Sequence, residues 1–295
     1  MTITSPVPPY PTPRGLLKGK TVVITAAAGT GIGYATALRA VEEGAQLLIS
    51  DHHARRLNEA ADRIAEKTHT RPATAVCDVT KEEDVQNLRD TALREFGRVD
   101  VLINNAGLGG ETPIIDMTDE QWSRVLDVTL TSLFRMTRAF LPVMYGAKSG
   151  VMVNNASVLG WRAQNGQAHY AAAKAGVMAF TRCAALEAAE HNVRINAVAP
   201  SLAMHPFLAK VTTPETLKIL VEREAFGRPA EVWEVANVML FLASDPLSQA
   251  MVNFFNVLPI ELGAVGRDTA ALVLGTGLGV GVLGAFVSVR TYLIR

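Results

Sequence analysis

The sequence predicts an α/β fold, a doubly wound parallel sheet built as a single domain. Three observations carry that expectation. Six short apolar runs alternate with longer charged stretches. The short runs are rich in Val and Ile and nearly continuous in apolar residues, as strands covered on both faces must be. A glycine-rich turn follows the first of them. In order, the candidate strands are TVVIT (21–25), AQLLIS (45–50), TAVCDV (74–79), VDVLINNAG (99–107), GVMVNNAS (150–157) and VRINAVAP (193–200). Between them, stretches such as ARRLNEAADRIAEK and KEEDVQNLRDTALREFG place apolar residues at helical spacing with charges opposite. Strand and helix in strict alternation imply right-handed crossovers and a parallel sheet.

The 295 residues are 49% hydrophobic, enough for one large core, and 28 basic groups balance 28 acidic ones. A net charge of zero leaves no electrostatic footprint for nucleic acid. Two cysteines, Cys77 and Cys183, make neither a disulfide framework nor a metal spacing, so a reducing, cytoplasmic setting and no metal are expected. Residues 1–17 carry five prolines and no apolar run, which reads as a flexible tail and not as a signal peptide.

After the first strand, Gly29, Gly31 and Gly33 lead into a helix. Glycines let the backbone turn sharply toward a pyrophosphate, and free N–H groups at the helix start face the anion. The next strand is followed by Asp51, whose carboxylate can accept bonds from both adenosine ribose hydroxyls and repel a 2′-phosphate. That favours NAD, while nearby His52, Arg55 and Arg56 keep NADP open.

Ser157 precedes Tyr170 by thirteen residues, and Lys174 follows it by four. Tyrosine titrates near ~10, too high for an efficient base at neutral pH. A lysine one helical turn away favours the phenolate and lowers that value. Ser157, at a strand's carboxyl end, can hold a substrate oxygen while Tyr170 exchanges its proton. Trp161, Gln164, Met204, His205 and Phe207 are placed to wall a substrate pocket. His169 either lines that cleft or is solvated. Trp122 and Trp233 read as packing residues, and Cys183 as inert core.

With these pieces in place, the chain resembles the short-chain dehydrogenase/reductase family over about residues 18–248, with a catalytic domain expected over 18–250. NNAG (104–107), the Ser157, Tyr170 and Lys174 set, and NAVAP ending at Pro200 match that family's motifs in order and separation. The resemblance implies interconversion of a secondary alcohol and a ketone, with Tyr170 as acid/base, Ser157 holding oxygen and Lys174 also holding the nicotinamide ribose. It implies a cofactor site of Thr25, Gly29, Thr30, Gly31, Ile32 and Gly33 at the pyrophosphate, and Asp51, Asp78 and Val79 at the adenosine. Asn105, Ala106, Gly107, Tyr170, Lys174 and Pro200 complete it. The surrounding sequence is similar to actinobacterial members acting on steroid-derived or acyl-CoA substrates, and a homo-oligomer is expected.

Three departures stand out. The glycine loop has Ala26 at a family glycine and is one residue longer. Thr129 stands where the family has a fourth catalytic residue, an asparagine. Ser201 follows Pro200 in place of glycine. They motivate an alternative, a catalytically idle dinucleotide-binding scaffold or sensor.

From about residue 251 the text changes. Residues 269–289 carry no charge, and as a helix would span about 31 Å, the thickness of a bilayer core. This tail (251–295) faintly resembles the first helix of a bacterial metal-ion transporter permease. Three readings stay open: a transmembrane anchor to the cytoplasmic membrane, a fusion or frame error, or an amphiphilic oligomerisation segment.

Overall fold

A computed structural model describes residues 6–205, 208 and 214–244 of the chain. Its main sheet has six parallel strands in the order β3-β2-β1-β4-β5-β6. They are β1 (Thr21–Ile24), β2 (Gln46–Asp51), β3 (Ala73–Val76), β4 (Val101–Asn104), β5 (Gly150–Asn155) and β6 (Val193–Val198). Every predicted strand is present, shortened where its motif runs on into a loop. The order reverses between β1 and β4, which opens a crevice at the strands' carboxyl ends.

Burial on both faces explains the unbroken apolar runs. In β1, Val22 and Ile24 face one layer, with α1 (Ile32–Glu42), α2 (Ala54–Thr68) and α8 (Val232–Ala243). Val23 faces the other, with α3 (Glu82–Phe96), α5 (Ser132–Ala147) and α6 (Ala168–Ala189). Each such side chain removed from water contributes about 1.5–3 kcal/mol. The helices follow their apolar spacing: α2 buries Leu57, Ala60, Ala61 and Ile64. Three acidic residues open α3 and a left-handed Gly97 closes it.

A short π-helical segment, Asp127–Thr131, joins α4 (Asp119–Leu126) to α5 and turns Thr129 inward. It meets α6 at glycine distance, since a Cβ on Gly176 would fall 2.6 Å from Leu130 Cδ2. Two short strands, β7 (Ala203–Met204) and β8 (Ala230–Glu231), flank α7 (Pro214–Glu222) in the chain and pair with each other beside α8.

The proline-rich start departs from the expected flexible tail over residues 10–17. Leu17 is fully buried. Glu43 Oε2 accepts the N–H groups of Arg14 (2.8 Å) and Leu16 (3.0 Å). The Tyr10 hydroxyl donates to Glu42, and its ring lies edge-on to Trp233. A buried Arg39–Glu43 pair anchors this contact, which the proline count could not reveal. The stretch 269–289 lies outside the described residues; among the described residues no helix is long and apolar enough to cross a membrane.

Candidate active site

The turn after β1 is held from below by side chains of the neighbouring strand. Asn105 Nδ2 donates to the carbonyls of Thr25 (3.2 Å) and Ala26 (3.1 Å), and Thr25 Oγ1 accepts the N–H groups of Asn105 and Ala106. Ala26, at the position of a family glycine, adopts a left-handed φ of 54°. A Cβ on Gly33 would lie 2.3 Å from Ala26 O, so only glycine lets α1 start this close to the turn. Gly31 caps α1 without any side-chain bond, which leaves the first-turn N–H groups open to an anion.

Beside this turn lies a crevice of about 580 Å³ lined by Ala26, Asp51, His52, Asp78, Val79, Ala106 and Gly107 among others. The Asp51 carboxylate is fixed by the N–H groups of Ala28 (3.3 Å) and His53 (3.1 Å). Asp78 follows β3 in a loop closed by Thr80, whose N–H and hydroxyl both donate to Asp78 Oδ1. A glycine that tolerates no Cβ (Gly33), an uncapped helix start and a fixed carboxylate fit a dinucleotide. Gly29, Thr30, Gly31, Ile32 and Gly33 would take its pyrophosphate, and Asp51, Asp78 and Val79 its adenosine.

A second cleft, of about 300 Å³, contains Ser157, Tyr170, Gln164, Pro200 and His205. The Pro200 carbonyl accepts the Val158 N–H at 3.0 Å, tying the Ser157 turn to the segment after β6. Burial raises the Tyr170 phenol pKa, and the neighbouring Ser157 side chain opposes that rise without overcoming it. In the cofactor-free site Lys174 does not offset that rise. Lys174 Nζ lies over the Tyr170 ring, 5.5 Å from its centre, and donates to the Asn155 carbonyl at 2.5 Å. Fully enclosed, its ammonium is pushed down to about 8 by loss of hydration.

Thr129 is committed to the backbone: its hydroxyl donates to the Leu108 carbonyl (3.1 Å) and accepts the Leu108 N–H (3.0 Å). It thereby fixes the Gly107 loop, where a Cβ would stand 3.4 Å from Lys174 Nζ.

Other expectations divide. Gln164 and His205 line the cleft. Trp161 does not and is 67% exposed. Met204 is held in β7 outside it, and Phe207 lies outside the described residues. His169 is neither cleft wall nor solvated; it is buried under the Gly110 turn. Cys183 is exposed and not core, because its position on α6 faces away from the sheet. Trp122 is also exposed.

Sequence reasoning missed Asn155, the acceptor for Lys174, and a buried thread in which Asn104 Nδ2 donates to Asn154 Oδ1 and Asn154 Nδ2 to Thr181 Oγ1. The signal was available. The motifs INNAG and VNNAS end adjacent strands, and Asn104 pairs in register with Asn154.

The family described as Enoyl-(Acyl carrier protein) reductase matches residues 26–252 and stops short of 269–289. The chain is 61% identical over 233 residues to (5R,7aS)-5-hydroxy-7a-methyl-1-oxo-2,3,5,6,7,7a-hexahydro-1H-indene-carboxyl-CoA reductase of Mycobacterium tuberculosis, covering 79% of this chain and 89% of that one. It is 37% identical to 3-oxoacyl-[acyl-carrier-protein] reductase FabG of Thermotoga maritima, covering 79% and 93%. Among solved structures, a short chain dehydrogenase from Mycobacterium smegmatis superposes with a TM-score of 0.73 at 55% identity, covering 82% and 93%.

Fold and matches together define an NAD(P)-dependent oxidoreductase that interconverts an alcohol and a ketone. The chain belongs to the short-chain dehydrogenase/reductase family.

Proposed function

We propose that the protein reduces a ketone on an acyl thioester substrate with NADH, or oxidises the corresponding alcohol, using Tyr170, Ser157 and Lys174. The observation that carries the reading is that Ser157 and Tyr170 line one cleft, next to a crevice that fits a dinucleotide. Both relatives named above act, by name, on acyl groups attached to a carrier, which supports the thioester class. Asp51 supports NAD, because an anchored carboxylate repels a 2′-phosphate, and Arg55 is already paired with Glu59 at 2.9 Å.

The nicotinamide, when bound, supplies or takes up the hydride. Ser157 holds the substrate oxygen, and Tyr170 gives it a proton during reduction or removes one during oxidation. Burial of Tyr170 keeps the phenol protonated at neutral pH, which suits it as the acid for reduction. Lys174 would hold the ribose hydroxyls and place its charge beside the phenol, once it gives up the Asn155 carbonyl. Thr129 holds the loop over Lys174 through backbone bonds and is assigned a positioning role.

The test is a panel of cyclic and acyl ketones, with and without a CoA thioester, run with NADH and with NADPH while nicotinamide absorbance is followed. Tyr170→Phe should lower turnover by about 10²–10⁴-fold with cofactor affinity retained. Unchanged turnover removes Tyr170 from its role, and a preference for NADPH overturns the assignment to Asp51.

A further inference from the structure

The cleft that holds Ser157 and Tyr170 has a mixed lining. Ile32, Leu159, Leu202, Leu208 and Leu220 give it apolar wall, suited to a hydrocarbon ring or chain. Two guanidinium groups from different parts of the chain also line it: Arg162, in the loop before α6, and Arg223, one residue beyond α7. Among the described residues Glu224 is the one carboxylate in the lining. Within the lining that carboxylate is held by a neutral group, since Glu224 Oε1 accepts the Ser201 hydroxyl at 2.5 Å. Its nearest approach to Arg162 is 4.0 Å, too long for a hydrogen bond. Arg223 makes no ion pair with any described residue.

Exposed arginines elsewhere divide, and Arg56, Arg124 and Arg182 make no ion pair with a described residue. Arg55, Arg71 and Arg138 each meet a carboxylate oxygen at 2.9 Å or less. The cleft therefore carries two cations against one carboxylate, and neither cation has its planar donor fork satisfied by a carboxylate. Guanidinium forks match carboxylate and phosphate oxygens and are less strongly hydrated than ammonium groups, so they are suited to a partly dry site.

Resting on the oxidoreductase reading above, we propose that Arg162 and Arg223 form a subsite for an anionic group carried by the ketone substrate. The substrate is thus amphiphilic: a neutral hydrocarbon body carries the carbonyl to Ser157 and Tyr170, and an anion is clamped by the two arginines. A ring carboxylate and the phosphates of a CoA thioester share this chemistry.

The test uses three forms of one cyclohexanone: the free carboxylate, its methyl ester and its CoA thioester. For each protein, kcat/KM is expressed relative to the methyl ester, so partial unfolding of a variant cancels. The wild-type protein should prefer the free acid or the thioester, and raising ionic strength should shrink that preference. Arg223→Gln should reduce the ratio about tenfold, mainly through KM, and Arg162→Gln with Arg223→Gln should reduce it further. A preference confined to the thioester assigns the phosphates, and one shared by the free acid assigns the carboxylate. Equal kcat/KM for all three forms, or a ratio unmoved in both variants, overturns the subsite while leaving the oxidoreductase reading intact. Absence of turnover for these ketones and for the whole ketone panel would instead defeat that reading.

Discussion

Lys174→Met isolates a cost built into the site. The lysine is 2% exposed, and its ammonium is pushed from 10.5 down to about 8 by burial. Its folded pKa is therefore below its unfolded one, so the unfolded chain holds this proton more tightly. Below pH 8 both states are charged and the folded state bears the full penalty; as pH rises through about 8 toward 10.5 the penalty fades. At about 1.4 kcal/mol per pH unit, that interval corresponds to about 3 kcal/mol. In cofactor-free protein the wild type should gain about 3 kcal/mol relative to Lys174→Met between pH 7 and pH 10.5, or roughly 6–12 °C in melting temperature. At pH 7 methionine removes the penalty but leaves the Asn155 carbonyl without its donor, which costs about 1–3 kcal/mol, so the variant should be level with or more stable than wild type. Paired urea titrations of the two proteins across that pH range measure the difference, and groups common to both cancel. A difference independent of pH would refute the idea that Lys174 is held desolvated. The same variant should lose turnover, so stability and activity are expected to move in opposite directions.

Gly33→Ala forces a Cβ to within 2.4 Å of Asn105 Nδ2 as well as against Ala26 O, and overpacking of this kind costs about 1–3 kcal/mol. Weakened NADH binding, measured by fluorescence titration, should accompany the lower melting temperature. Asn154→Ala strands the Asn104 amide and removes one donor from Thr181 Oγ1, which keeps its bond to the Val177 carbonyl, and should cost about 1–3 kcal/mol in denaturant unfolding. Because burial raises the Tyr170 phenol, ketone reduction should hold its rate from about pH 6 to pH 9 and decline only beyond; alcohol oxidation should climb across that range. Initial rates in both directions check this, and a reduction rate that falls away near pH 7 would contradict it.

The sheet was readable because its strands are covered on both faces: Val22, Val23 and Ile24 are all buried, so the text has no polar interruption to obscure them. The glycine turn and the Ser157, Tyr170 and Lys174 spacing were readable because local geometry places them, by turn and by helical period. What stayed hidden depends on partners distant in sequence. Lys174 turns to Asn155, nineteen residues earlier, and no helical period reports that. Thr129 spends its hydroxyl on Leu108, twenty-one residues away. Cys183 reads as apolar text, but the rotation of α6 that buries Ala184 and Ala188 leaves it outside.

The clasp between the proline-rich start and Glu43 bears on where this domain can be trimmed. Similarity in motifs begins near residue 18, which invites a truncation there. Such a cut would remove Leu17 from the core and leave one oxygen of an enclosed glutamate without the two amides that satisfy it. The independent folding unit thus begins several residues ahead of the dinucleotide motif, and a shortened version would be expected to aggregate where a version retaining Tyr10 does not.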